Sequence, residues 1–230
     1  MIKKLLYIFV LIFYFTIELF ALSGPHADIT SSSDTTTDNG ETCVYCHTPH
    51  GGNSDLSPAP LWNKPTASTT FTMYGATSES TSGTTIANTS TDAVPSGSSM
   101  ACLSCHDGVS AMNSVINAPG SGNYNALGSY IGTNPPLSTT MPEVAYKSIG
   151  LNGDLTDDHP ISIEYIPGKA SLKPLNEPLT DFFGAVLVSD LLKDGKVQCT
   201  SCHDPHETPY NTYLRNGNTG SSLCIGCHDK

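Results

Sequence analysis

A cysteine and histidine pattern that occurs four times constrains this chain more than any other feature. All eight cysteines form Cys-x-x-Cys pairs, and a histidine directly follows each pair. The four copies are Cys43/Cys46/His47, Cys102/Cys105/His106, Cys199/Cys202/His203 and Cys224/Cys227/His228. Disulfides or zinc would give the adjacent histidines no role, whereas Cys-x-x-Cys-His is the attachment motif of c-type haem. The cysteines form thioethers with the haem and the histidine ligates the iron, so we predict four covalent haems.

The remaining histidines match the number of distal ligands that four haems need. They are His26, His50, His159 and His206. Methionine is the competing ligand, and the candidates are Met73, Met100, Met112 and Met141. Their scatter in Ser/Thr-rich or apolar surroundings is more typical of side chains that fill gaps in a core. We therefore predict histidine on both faces of each iron.

The segments "CHTPH" and "CHDPH" place a second histidine three residues after the first. This spacing is too short for His50 or His206 to reach the opposite face of its own haem. We predict that each ligates the next haem along the chain, so that His50 serves the haem of Cys102/Cys105 and His206 serves that of Cys224/Cys227. The intervening proline stiffens the link.

The motifs form an internal repeat, with an upstream histidine, a Cys-x-x-Cys-His-x-Pro-His segment and a Cys-x-x-Cys-His-Asp segment in each unit. We predict a first unit over residues 22–120 and a second over 121–230. Carried through, the repeat sends His159 to the haem of Cys43/Cys46. The same rule sends His26 to the Cys199/Cys202 haem of another copy. Such a head-to-tail contact gives a ring or an open filament; the alternative is that His26 folds back onto its own chain and leaves a monomer.

Residues 1–21 resemble a secretory signal, with Lys3 and Lys4 before an apolar run and a small residue at Ala21. We predict cleavage and export through the Sec pathway, and no stable membrane insertion. An uncleaved anchor is the rival interpretation, but the apolar run is short and Glu18 interrupts its end. Removing this segment changes the formal charge from −11 to −12, which argues against nucleic acid as a partner.

Regular structure is expected to be scarce, because Gly, Pro, Ser, Thr and Asn are abundant and large apolar residues are sparse. We predict mostly irregular coil with short helices and a few short β-strands, wrapped around the four haems. Residues 66–99 and 119–142 resemble long loops. A short helix is predicted through Cys105, strands at "ISIEY" and "KVQ", and a turn at "KDG", while "DFFGAVLVSDLL" fits a helix or a strand. Trp62 packs either on a porphyrin or in an ordinary core.

The segments "CVYCHTPHGG", "APLWN", "CLSCHDG", "VQCTSCHDPHE" and "CIGCHD" resemble those of the doubled-CXXCH multihaem cytochromes. The layout with four haems is most similar to the OmcE-type extracellular cytochromes, which polymerise into conducting filaments. The resemblance covers the motifs, about a third of the chain. It implies a coil-rich subunit with a continuous haem stack and bis-histidine iron. It also implies that an N-terminal histidine crosses to the adjacent subunit, a position that His26 matches by location.

Bis-histidine iron is six-coordinate and leaves no open position for a substrate. We therefore expect a protein that is not an enzyme and that conducts electrons in an extracellular or cell-surface homopolymer, to other redox proteins or extracellular acceptors. A monomeric periplasmic shuttle is the first alternative. A membrane-anchored tetrahaem quinol dehydrogenase, which would retain residues 1–21, is the second.

Overall fold

The computed structural model describes most of the chain outside its N-terminal segment and a long central segment. The described residues are 26, 42–56, 59–77, 80–83, 90–110, 115–117, 149–207 and 209–229. The predicted signal sequence and the predicted loop over residues 119–142 lie outside these ranges. All eight cysteines and all eight histidines lie within them.

Within the described residues the helices are few and mostly short, as the composition predicts. The α-helices are α1 (Gly97–His106), α2 (Val188–Leu191), α3 (Cys199–Cys202) and α4 (Ser222–Ile225). Single 3-10 turns occupy Thr42–Tyr45, Ser54–Leu56, Leu151–Gly153, Lys169–Ser171, Asn211–Tyr213 and Thr219–Ser221. The fold is therefore mostly coil with short helices and strands. None of the helices in these ranges is long and apolar enough to cross a lipid bilayer.

In the part of the chain that the structure describes, four short strands form two antiparallel pairs. Strands β1 (Ala76–Thr77) and β2 (Ser80–Gly83) pair with each other, as do β3 (Ile163–Glu164) and β4 (Lys196–Val197). A tight turn precedes β4, with φ of 52° at Asp194 and 73° at Gly195, as in a type I′ hairpin turn. The predictions of strands at "ISIEY" and "KVQ" and of a turn at "KDG" are confirmed. The turn does not connect β3 to β4, because β3 lies in a more distant segment of the chain.

The helix predicted through Cys105 is also confirmed. It begins at Gly97 and ends at His106. The ambiguous segment "DFFGAVLVSDLL" is neither a long helix nor a strand, since only α2 within it is regular. The Asp190 carboxylate accepts hydrogen bonds from the backbone N–H groups of Val186 and Leu187 at 2.9 and 2.8 Å, which caps this single turn.

A small hydrophobic core lies beside α1. It contains Leu56, Phe71, Met73, Met100, Leu103 and Leu155, with Trp62, Ala67 and Ile161 packed against it. Met73 and Met100, two of the four methionines considered as competing ligands, therefore lie in the core. The indole N–H of Trp62 donates a 3.1 Å hydrogen bond to Ser104 Oγ, which attaches the segment after the first motif to the second motif.

Polar contacts join α1 to α3, and so connect the second motif to the third. The Ser99 hydroxyl accepts a 3.0 Å hydrogen bond from the backbone N–H of Cys199. Ser98 Oγ and Thr200 Oγ1 lie 2.7 Å apart. Gln198 is buried between the two helices, and its side-chain oxygen accepts hydrogen bonds from Ser99 and Ser162. The two predicted units therefore contact each other through the residues that flank their motifs.

Candidate functional site

Each of the four motifs forms one helical turn. The backbone N–H of the motif histidine donates to the carbonyl of the first cysteine at 2.8 Å for His47, and at 3.0 Å for both His203 and His228. The second motif forms the C-terminal turn of α1, which ends at His106. Residues three positions apart lie on the same face of a helical turn. The two cysteines of each motif are therefore directed to one side, as attachment to one haem requires.

Three of the motif histidines lie in the same backbone setting. His47, His203 and His228 each form an isolated antiparallel bridge, with Trp62, Leu214 and Leu172 respectively. The residue before each bridge partner has a positive φ: 51° at Leu61, 60° at Tyr213 and 58° at Ser171. The residue after each partner donates its N–H to the carbonyl of the motif's second cysteine at 2.8 Å. The first, third and fourth motifs therefore share a backbone geometry as well as a sequence pattern, although the residues that adopt this geometry are of different types.

Backbone carbonyls fix the orientation of four imidazole rings. Nδ1 of His47 lies 2.8 Å from the carbonyl oxygen of Pro60, and Nδ1 of His203 lies 2.9 Å from that of Thr212. His26 and His159 make the same contact, to Pro205 at 3.2 Å and to Pro160 at 3.1 Å. A carbonyl can only accept, so Nδ1 carries the proton in each ring. Nε2 is then the lone-pair donor, as in a metal-ligating histidine held by its outer hydrogen bond.

The rings of His47 and His206 form the clearest candidate for a pair of ligands. Their centroids lie 6.1 Å apart and their planes differ by 18°. Metal–imidazole bonds are about 2 Å long and the ring centre lies about 1 Å behind the nitrogen, so two rings on opposite faces of one metal have centroids about 6 Å apart. The separation leaves room for one iron between these two histidines.

A second pair has the same separation. The rings of His26 and His106 have centroids 6.2 Å apart and planes at 55°. Tyr213 supports His26 from its other side, with ring centroids 4.3 Å apart and planes at 21°, and its hydroxyl accepts a hydrogen bond from the His26 N–H. Burial lowers the pKa of His26, and the nearby His106, His206 and His203 lower it further. His26 therefore lies among three other histidines of its own chain.

The other four histidines are less closely matched. Burial lowers the pKa of His159 and the neighbouring His228 lowers it further, which places these two rings near each other. His50 is exposed. Among the described residues, which include every histidine, neither His50 nor His203 makes a ring contact with another histidine. No group of three or more metal-binding side chains occurs in these residues either.

These placements differ from the pairings that the repeat predicted. We expected His206 near the fourth motif, but its ring faces that of His47 in the first. We expected His159 near the first motif, but it lies near His228 of the fourth. The ring centroid of His26, which we predicted to ligate a haem of another copy, lies 6.2 Å from that of His106 in its own chain. The reason is that the contact between α1 and α3 brings the two units together, so that a histidine of one unit can face a motif of the other.

The cysteines are free thiols in the structure and stand for the thioether sulfurs of attached haem. Burial raises the pKa of Cys46 to about 12 and that of Cys202 to about 11. Cys102 and Cys199 are in hydrogen-bond contact, which raises the pKa of Cys102 and lowers that of Cys199. The attachment points of the second and third motifs therefore meet where the two units touch.

Comparison with known families gives an independent result for the C-terminal part of the chain. Residues 192–230, which contain the third and fourth motifs, match the doubled CXXCH motif family. No curated protein matches the chain. The family match and the motifs support a multihaem c-type cytochrome with covalently bound haem, a class of protein that takes part in electron transfer.

Proposed function

We propose that this protein is a tetrahaem c-type cytochrome that carries electrons and has no substrate of its own. The observation that carries the proposal is the facing pair His47 and His206, whose centroid separation of 6.1 Å fits one iron with histidine on both faces. His26 and His106 repeat the arrangement at 6.2 Å. A bound haem supplies one-electron chemistry, and a second histidine closes the position at which a substrate would bind.

Spectroscopy of the purified protein tests this proposal. We expect four haems per chain by the pyridine haemochromogen assay and by intact mass, and only low-spin ferric iron by electron paramagnetic resonance. A variant with Cys43→Ser and Cys46→Ser is the matched control, because it should lose one haem and keep the others. Fewer than four haems in the unaltered protein, or iron with methionine as a ligand, would overturn the proposal.

We further propose that the cytochrome acts as an extracellular homopolymer joined by an Fe–His bond between copies. Two features support this. His50 is exposed and faces no histidine ring, while His203 has its Nδ1 bonded to Thr212 and faces none either. The contact of His26 with His106 favours His50 over His26 as the histidine that crosses to a neighbouring copy. A contact between two different surfaces is heterologous and generates an open filament or a ring.

Electron microscopy of material sheared from cells tests the polymer. We expect filaments from the unaltered protein, no filaments from His50→Ala, and one high-spin haem per chain in that variant. His26→Ala is the matched control, because it should also create one high-spin haem but leave the filaments intact. Filaments that survive His50→Ala and disappear with His26→Ala would restore the original assignment. A monomer at high concentration on size-exclusion chromatography would favour the periplasmic shuttle.

A further inference from the structure

The backbone on both sides of His50 is fixed, although the His50 side chain is exposed. Before it, Thr48 is buried and its backbone N–H donates to the Leu61 carbonyl at 2.9 Å. After it, the backbone N–H of Asn53 donates to the Trp62 carbonyl at 2.7 Å. The segment that carries His50 is therefore attached at two points to the chain that follows the first motif.

Two side chains also hold the backbone carbonyl of His50. Thr48 Oγ1 donates to this carbonyl at 3.0 Å, and Nδ2 of Asn117 donates to it at 3.1 Å. The same Nδ2 donates to the Gly51 carbonyl at 2.9 Å. Gly51 has a left-handed φ of 65°, and a Cβ atom there would lie 3.3 Å from Asn117 Nδ2. The Asn117 amide group therefore uses both of its hydrogens to hold the turn that begins at His50.

Asn117 is held in turn by Asn63, which is fully buried. The backbone N–H of Asn117 donates to Asn63 Oδ1 at 2.8 Å, and Asn63 Nδ2 donates to the Asn117 carbonyl at 2.9 Å. Nδ2 of Asn63 also donates to the Val44 carbonyl at 2.7 Å, and its backbone N–H donates to the Cys46 carbonyl at 2.8 Å. A continuous set of hydrogen bonds therefore connects the first haem-attachment turn to the backbone of His50.

The corresponding histidine of the second unit is held in another way. Asp204 takes the place of Thr48 in the motif, and its Oδ1 accepts a 3.1 Å hydrogen bond from the backbone N–H of His206. The contact is thus to the N–H of His206, whereas Thr48 and Asn117 bind the carbonyl of His50. The two x-Pro-His histidines share a sequence pattern but have different supports.

We propose that Asn117 is a positioning residue that orients His50 as an iron ligand for a haem other than that of Cys43/Cys46. This rests on the proposed function, because it requires His50 to ligate haem. A ligand whose backbone is fixed before it binds loses less conformational entropy on binding. Asn117 acts through the backbone carbonyl of His50, and so makes its imidazole a stronger competitor against small external ligands.

Cyanide titration of the loaded ferric protein, followed by haem absorbance at one fixed protein concentration, tests this inference. Asn117→Ala removes two hydrogen bonds at the His50 turn, so one haem should bind cyanide about three- to tenfold more tightly. Asn53→Ala is the matched control. Asn53 is also half-buried, and its Nδ2 also donates two hydrogen bonds, to the Lys64 carbonyl at 3.0 Å and to Thr66 Oγ1 at 3.1 Å. It should leave cyanide affinity within about twofold.

A double variant separates positioning of His50 from a general structural role. His50→Ala opens one haem, which should bind cyanide most tightly of all. Asn117→Ala should have no further effect in this background, because the side chain that it positions is already absent. If Asn117→Ala tightens cyanide binding equally with and without His50, or if Asn53→Ala has the same effect, Asn117 does not act through His50 and the inference is overturned.

The remaining outcomes separate this inference from the proposed function. If the haemochromogen assay finds no covalent haem in the unaltered protein, the proposed function fails. If four haems are loaded and all stay low-spin in His50→Ala, His50 is not a ligand and the inference alone fails within the tetrahaem assignment. If Asn117→Ala does not fold, Asn117→Asp keeps the shape of the side chain without its N–H donors. Unchanged cyanide affinity in that variant overturns the role of Asn117.

Discussion

His47 of the first motif and His206 of the third motif's x-Pro-His segment face each other with ring centroids 6.1 Å apart. The two residues come from different repeat units, so an iron between them would join the units by a coordinate bond. Their Nδ1 environments also differ. Nδ1 of His47 lies 2.8 Å from the Pro60 carbonyl oxygen, whereas Nδ1 of His206 lies 3.8 Å from the Asp204 carboxylate. The His206 ring is therefore the less tightly oriented of the two.

We predict that His206→Ala opens one position on the haem of Cys43/Cys46. The ferric protein should then show one high-spin haem per chain, and carbon monoxide should bind to one haem after reduction. The physical reason is that the ring facing His47 has been removed while its proximal histidine remains. Electron paramagnetic resonance and carbon monoxide titration measure the two effects.

A combined variant identifies which haem is affected. His206→Ala in a protein that already carries Cys43→Ser and Cys46→Ser should show no high-spin haem, because the haem that lost its ligand is absent. If the high-spin signal persists in this background, His206 serves a different haem. Cys224→Ser with Cys227→Ser is the comparison, since it removes the haem that the repeat assigned to His206.

The sequence was sufficient to predict the motifs, the repeat and the scarcity of regular structure, but not the partners of the histidines. Cys-x-x-Cys-His is a local pattern, and a single helical turn is enough to build it. The pairing of His47 with His206 depends on how two coil-rich units pack. That packing rests on contacts such as Ser99 to Cys199, which have no periodicity that a sequence would display.

The residues with positive φ show a second limit of sequence reasoning. Leu61, Tyr213 and Ser171 each precede a bridge to a motif histidine and adopt left-handed backbone conformations. Such conformations favour glycine, asparagine or aspartate. The three residues share neither size nor polarity, so no turn signature marks them. The bridge that each of them precedes is itself known only from the structure, so the sequence alone does not locate them.

Tyr213 is predicted to hold His26 in position. Tyr213 is buried and stacks on the His26 ring at 4.3 Å. An aromatic stack contributes about 0.5–1.5 kcal/mol beyond burial, so Tyr213→Leu should favour displacement of His26 by about two- to tenfold. Cyanide affinity of the ferric haem at Cys102/Cys105 measures this displacement. Tyr213→Phe keeps the ring but removes the hydroxyl that accepts a hydrogen bond from the His26 backbone N–H, so its cyanide affinity should lie between those of the unaltered protein and the leucine variant. Equal affinities in the leucine variant and the unaltered protein would contradict the role.

Gln198 is predicted to stabilise the contact between the units. It is 3% exposed, accepts hydrogen bonds from Ser99 and Ser162, and donates one to Ser96 Oγ at 3.2 Å. Gln198→Leu leaves buried hydroxyl groups without these partners, so we expect a loss of about 1–3 kcal/mol in the free energy of unfolding. Guanidinium unfolding followed by circular dichroism measures it. Glu164→Gln, at an exposed position on β3, is the control and should change stability by less than about 0.5 kcal/mol.

Gly226, between the two cysteines of the fourth motif, is predicted to accept a side chain only at a cost in stability, because Phe182 occupies the space that a Cβ atom would need. A Cβ atom at Gly226 would lie 2.2 Å from Cζ of Phe182 and 2.8 Å from its Cε2, far inside van der Waals contact. The backbone of Gly226 is helical, with φ of −58°. The obstacle is therefore space rather than conformation. Gly226→Ala must displace the ring, which we expect to lower the free energy of unfolding by about 1–3 kcal/mol.

Two further variants test the mechanism. Phe182→Leu shortens the side chain that occupies this space. Gly226→Ala should therefore cost much less stability in a protein that already carries Phe182→Leu than in the unaltered protein. Gly217→Ala is the control, because its Cβ would meet Tyr210 at an ordinary 3.5 Å. Thermal unfolding gives the stabilities, and peptide mass spectrometry gives haem occupancy at Cys224 and Cys227. If the cost of Gly226→Ala is the same with phenylalanine or leucine at position 182, the close approach of the ring is not its cause, and the restriction would have to lie in haem attachment itself.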